Sequence, residues 1–166
     1  MAKPVMQFLL CAITIRCSLM IPACAPAQTV PTEGIVAQDT SEQAIAAVLT
    51  EQATAWNAGD LDRFMETYWK SDQLTFSGGG QTVRGWQATL NRYRVRYPTK
   101  EKMGQLRIDE LEISPLNSDT TVAFVIGNWH LTMPDGPHHD GNFTLILKNM
   151  DGVWKIIHDH SSERNH

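Results

Sequence analysis

Cysteine is missing from everything after residue 27: Cys11, Cys17 and Cys24 are the three the chain has. Loss of that leading segment would remove disulfides, thiolate metal sites and cysteine nucleophiles together. Positive charge is also short. Lys3 and Arg16 are the only charged residues before Gln28, so the remainder holds 12 of the 14 basic residues against all 18 acidic ones. A nucleic-acid partner would favour a basic face, so this balance argues against one. No apolar run reaches the roughly 18 to 20 residues of a membrane span, because Arg16 interrupts the longest. Serine nucleophile elbows, phosphate loops and dinucleotide glycine patterns are absent, and Gly78-Gly79-Gly80 reads as a turn. What is present is ordinary globular material: 42% hydrophobic and 19% charged in 166 residues, enough for one domain with a sizeable core.

Residues 1–27 read as an export signal. Lys3 supplies a thin positive region, Pro4 to Ile15 is mostly apolar, and Ala25-Pro26-Ala27 offers an A-x-A cleavage site. Cleavage near Ala27 implies a periplasmic or extracellular protein. Ile21-Pro22-Ala23-Cys24 also resembles a bacterial lipobox, in which Cys24 would carry the lipid and tie the chain to a membrane. A start codon set too far upstream is the plain alternative to both. Residues 28–38 are aperiodic and contain Pro, Thr and Gly, as a linker does.

The domain expected over 39–163, ahead of a short tail at 164–166, begins with helices. Thr40 and Gln43 form a capping box, with Asp39 and Glu42 favouring the helix N-terminus. Ile45, Val48, Leu49, Gln52 and Trp56 follow at helical spacing. Asn57-Ala58-Gly59 ends that helix, and Asp60 caps a second whose buried face is Leu61, Phe64, Met65 and Tyr68. A short hairpin spans Leu74 to Arg84. Trp86, Leu90, Tyr93 and Tyr97 then share one stripe of a third helix, which Pro98 stops. Four strands follow, over Leu106–Ile113, Thr120–Met133, Gly141–Lys148 and Val153–Ser161. Three helices before an antiparallel meander is an α+β order, and the fold expected is helices packed in a strongly curved antiparallel sheet, the cone that the resemblance below implies.

Two stretches carry a resemblance. Ala55-Trp56-Asn57-Ala58-Gly59-Asp60-Leu61 is similar to a helix–Asn-x-Gly-Asp–helix corner. Asp151-Gly152-Val153-Trp154, running on to His158-Asp159-His160-Ser161-Ser162, is similar to a terminal Asp-Gly-x-Trp with His-x-His-x-Ser on the last strand. Together they resemble the nuclear-transport-factor-2-like (NTF2-like) superfamily, in particular the SnoaL-like and DUF4440 proteins and the calcium/calmodulin-dependent protein kinase II association domain. The resemblance implies a pocketed cone and, from the convex sheet face of relatives, a homodimer. It implies no single function, since such folds host binding proteins, isomerases, lyases and assembly modules. Leu145, after Thr144, stands where the kinase-association relatives carry an Arg.

Strand alternation sends Trp154, Ile156, His158 and His160 one way and Lys155, Ile157, Asp159 and Ser161 the other, unless a bulge flips part of the set. The resemblance brings His160 to the cavity, and an imidazole there, or that of His158, suits a general base at neutral pH. A histidine bonded to backbone or to Ser162 at the sheet end fits the same sequence. Glu110 and Glu112 fit a solvated sheet face, and no carboxylate is singled out by an apolar stripe. His138-His139-Asp140, with Asp135 and His130, reads as a polar hairpin tip, and neither metal nor cofactor is expected. Arg92 and Arg96 share a helix face and suit either an anion clamp or a solvated flank paired to surface acids. Trp56, Tyr68, Phe76, Trp86, Tyr93 and Trp129 fit a filled core or the lining of a small-molecule pocket, with Tyr93 or Trp86 orienting a substrate.

Overall fold

No proline interrupts the chain between Glu33 and Ala58, and one helix, α1 (Glu33–Ala58), fills that span. The computed structural model describes residues 33–134, 136 and 138–164, with side chains from Thr40 onward. The helix begins ahead of the Thr40–Gln43 box, which lies inside it. The linker expected over 28–38 is therefore helical from Glu33, because nothing in the chain stops the helix where the capping signals stand. The segment read as an export signal, Asp135, and the tail residues Asn165 and His166 lie outside the described residues.

The exit from α1 follows its sequence signals. Gly59 adopts φ +81, a conformation side chains resist, and donates to the Trp56 carbonyl at 2.8 Å. The Asp60 N–H reaches the Ala55 carbonyl at 3.0 Å, so two of the four carbonyls left over by the last turn are bonded. Asp60 then caps α2 (Leu61–Glu66) by accepting from the Arg63 N–H at 3.0 Å. Asn57 pins this corner to the sheet: its Nδ2 donates to the Leu106 carbonyl and its Oδ1 accepts from the Leu106 N–H, at 2.8 and 2.7 Å.

After the hairpin β1 (Thr75–Gly78) and β2 (Gln81–Arg84) come α3 (Trp86–Arg96) and a one-turn helix, α4 (Lys100–Met103). The meander is β3 (Gln105–Pro115), β4 (Val122–Thr132), β5 (His138–Met150) and β6 (Val153–Glu163). All six strands form one sheet in the order β2-β1-β6-β5-β4-β3. The curved sheet is antiparallel as expected in every pairing but one: β1 runs parallel to β6, Phe76 opposite Asp159, which makes the sheet mixed. Leaving α2, the chain already travels along β6. Ile156 donates to the Thr67 carbonyl at 3.0 Å and Trp69 donates back to the Ile156 carbonyl at 2.9 Å. That approach gives β1 its direction along β6.

Helices cover one face of the curved sheet. Ile45, Leu49, Met65, Val125, Leu147 and Ile156 are almost wholly buried between the two layers, each stabilising the fold by about 1.5–3 kcal/mol. Two bulges bend the sheet, one in β3 between Asp109 and Glu112, the other in β6 opposite Ile146 and Leu147. The second sets which side chains of β6 face the helices.

Candidate functional site

Trp154 and Ile156 bury their side chains against the helices, as alternation demands. Ile156 then pairs with Leu147 and His158 with Ile146, which leaves Ile157 as the extra residue of the bulge. The side-chain parity inverts there. Beyond it Asp159 faces inward and is 4% exposed, while His160 is exposed and His158 half-buried on the other face. His158 shares a 2.6 Å hydrogen bond with the Thr75 hydroxyl. Burial, then the neighbouring His160, lowers its pKa from the ordinary histidine value. Neither imidazole lines the cavity, so the expectation that His160 enters it is corrected by the bulge.

The space beneath the sheet is a cavity of about 230 Å³. It is smaller than the roughly 300–1,000 Å³ of pockets that take drug-sized ligands, and suits a molecule of one or two rings. Trp56, Tyr68, Phe76, Tyr93 and Trp129 line it, joined by Phe64 and Tyr97. The rings pack edge to face around Tyr93, with centroids 5.1 Å away at Phe64, 5.6 Å at Phe76 and 6.0 Å at Trp56. Trp129 crosses β5 at Gly141, where a Cβ would lie 2.8 Å from the indole, and donates to the Ser162 carbonyl at 3.2 Å. Trp86 belongs elsewhere. Its indole donates to the Met65 carbonyl at 2.8 Å and carries Lys70 over its ring, outside the cavity lining.

Asp159 is the group the sequence did not single out. One carboxylate oxygen accepts from the Tyr68 hydroxyl at 2.6 Å, the other from the Ser161 hydroxyl at 3.0 Å. Burial pushes its pKa up to about 6, against the opposing pull of those two hydrogen bonds and of nearby His160. Tyr68 and Tyr93 are held well above the usual tyrosine value, first by burial and then by the Asp159 charge. Gln52, also buried, lines the cavity from α1 and donates to the Thr67 hydroxyl at 3.0 Å. A hydrogen-bonded carboxyl that titrates near neutrality inside an aromatic cavity can give or take a proton.

The remaining polar clusters resolve separately. Arg94 pairs with Asp62 at 2.7 Å, the solvated-flank arrangement, but Arg92 and Arg96 line the cavity. His138 to Asp140 open β5 rather than sit at a hairpin tip. His139 contacts Glu163 at 2.7 Å and His130 contacts Asp109 at 3.0 Å. Glu110, at the β3 bulge, accepts from Asn128.

The sequence model of the SnoaL-like domain matches residues 45–164. A crystal structure of an NTF-2-like protein of unknown function from Shewanella oneidensis is 38% identical, covering 73% of this chain and 98% of its own, with a TM-score of 0.68. Two further structures share the fold at lower identity. A candidate scytalone dehydratase from Novosphingobium aromaticivorans is 12% identical over 79% of this chain and 89% of its own, TM-score 0.63. A candidate calcium/calmodulin-dependent protein kinase II association domain from Xanthomonas campestris is 17% identical over 74% and 86%, TM-score 0.59. No curated protein matches the chain. From its matched residues and its cone of helices and curved sheet, this chain belongs to the SnoaL-like domain family of the NTF2-like fold.

Proposed function

We propose that this domain binds a small, ring-bearing molecule in its conical cavity. The observation that carries the reading is the buried Asp159 carboxyl, lodged among aromatic rings where a filled core would place an apolar residue. A ligand-observed NMR screen of one- and two-ring compounds tests it with wild type and Ile108→Trp, a variant that fills the cavity from β3. Binders should be lost in the variant while its melting temperature stays within a few degrees. Binders retained by the filled cavity would place the site elsewhere.

Asp159 also favours a second reading, a lyase or isomerase in which this carboxyl, rather than His158 or His160, moves the proton and Tyr68 orders it. The dehydratase likeness supports that reading at the level of fold alone. Asp159→Asn should keep ligand binding and lose turnover of any ligand that reacts, and unchanged turnover would end this reading.

Two further parts of the proposal stand on the sequence and the surface. Export, with cleavage near Ala27 or lipidation at Cys24, rests on residues 1–27, and N-terminal sequencing of processed protein should start at Gln28 or be blocked at Cys24. Self-association as a homodimer rests on the outer sheet face, where Ile126 is 37% exposed and opposes Thr144 across the strand pair. Ile126→Asp should lower the mass seen by light scattering from dimer to monomer.

A further inference from the structure

The cavity is chemically lopsided. Its deep end holds Asp159, Tyr68 and the ring of Tyr93, and the polar groups there already bond one another. Its mouth, where α3 meets the turn between β1 and β2 and the end of β6, holds the basic residues of the lining: half-buried Arg92 and exposed Arg96. They stand one helical turn apart on the same face of α3, with Cβ atoms about 6 Å apart, close enough to share one planar anion.

Both guanidiniums are positioned by contacts that leave donors over. Arg92 gives one Nη2 hydrogen bond to the Gly78 carbonyl at 2.9 Å and lies 5.5 Å from the centroid of the Phe76 ring. Arg96 gives its Nε–H to the Tyr97 hydroxyl at 3.1 Å and covers that ring at 5.6 Å. A guanidinium has five N–H donors, so most remain for a ligand. Among the described residues neither is in an ion pair, whereas neighbouring Arg94 is bound to Asp62. The acids of the cavity are otherwise engaged: Asp159 at depth with Tyr68, and Glu163 at the rim with His139.

We infer that Arg92 and Arg96 form a carboxylate clamp at the cavity mouth, so that the ligand is a small aromatic or alicyclic carboxylic acid. Its carboxylate sits at the clamp, its ring enters the aromatic cage, and an oxygen on the far side of the ring reaches Tyr68 and Asp159. A single negative charge suits this mouth better than a phosphate dianion, because Glu163 lies on the same rim and would repel the second charge. An amine is disfavoured by the two guanidiniums it would pass. This inference rests on the cavity being the binding site, and the experiment separates the two claims.

Calorimetry on the full chain with 3-(4-hydroxyphenyl)propanoate, its primary amide and tyramine isolates the head group, since the three share one ring and one phenol. The acid should bind at least about tenfold more tightly than the amide, and tyramine weakest, as one to two charge-assisted hydrogen bonds require. Raising salt should weaken the acid and leave the amide unchanged. Arg96→Gln, which gives up the hydrogen bond to Tyr97, should cost the acid about tenfold, and Arg92→Gln with Arg96→Gln about 100-fold, with the amide within about threefold of wild type. Ile108→Trp should abolish all three. Equal binding of acid and amide, or acid affinity unchanged in both arginine variants, overturns the clamp while loss in Ile108→Trp still upholds the cavity. Binding that survives Ile108→Trp, or none of the three probes binding wild type at millimolar concentration, overturns both.

Discussion

A single carboxyl group carries the character of the site, and its energetics are testable without a ligand. Asp159 has a folded pKa near 6 against 3.8 when solvated, so the folded state holds the proton more tightly than the unfolded chain. Keeping the ionised form buried costs about 3 kcal/mol above pH 6, from roughly two units at 1.4 kcal/mol each. That cost fades as pH falls through 6 and is lost below 3.8, where both states are protonated. Denaturant melts of Asp159→Asn should therefore show a gain of up to about 3 kcal/mol at pH 7.5 that shrinks to about 0.5 kcal/mol at pH 4. A variant less stable than wild type at both pH values would mean the carboxylate is a structural anchor. Tyr68 supplies one of the two hydrogen bonds opposing the shift. Tyr68→Phe should therefore raise the Asp159 pKa further and cost about 1–3 kcal/mol in urea melts at pH 7.5.

Among the elements, the bulge in β6 has the largest consequence for the least chain. One extra residue, Ile157, turns Asp159 and Ser161 inward and His158 and His160 outward. Deleting Ile157 should remove the bulge while keeping Ile156 opposite Leu147 and Asp159 opposite Leu145, so the Asp159 carboxyl should stay inside and keep its titration near pH 6 in carbon-13 NMR; a titration moved to about 4 would contradict this register. His160→Ala, by contrast, removes an exposed ring and should move the melting temperature by no more than a degree or two. The α1–α2 corner is the other sensitive element. Asn57→Ala removes both bonds to Leu106 and should cost about 1–3 kcal/mol in chemical denaturation, since it leaves a half-buried strand end unpaired. The helix end at Gly59 and the Asp60 cap were legible in the sequence, because capping and turn residues act on their near neighbours, whereas the Asn57 bonds to Leu106 span 49 positions and were not. The bulge was not: alternation is a local pattern, and the extra residue is fixed by pairing with a strand elsewhere. Direction is equally silent in a two-residue period, which reads alike for parallel and antiparallel partners, so the β1–β6 pairing came only from the path out of α2.

Across the whole molecule, the layer order followed from the spacing of helices and strands, while composition left the aromatic set open between a filled core and a pocket lining; Trp56, Tyr68, Phe76, Tyr93 and Trp129 border the cavity. Trp86 was misplaced because its stripe on α3 faces α2 at one end and the cavity at the other, a difference of position along the helix that periodicity does not contain. The polarity of the hollow was hidden for a related reason. Asp159 enters from the sheet, Tyr68 from the end of α2, Gln52 from α1 and the arginines from α3, and only the closed cone brings them together. The central claim is that the cone encloses an ionisable carboxyl in an aromatic cavity. Carbon-13 NMR of the Asp159 carboxyl across pH 3 to 8 measures it directly. The account predicts a titration near pH 6 in wild type, and a midpoint close to 4, the value of a solvated aspartate, would contradict it.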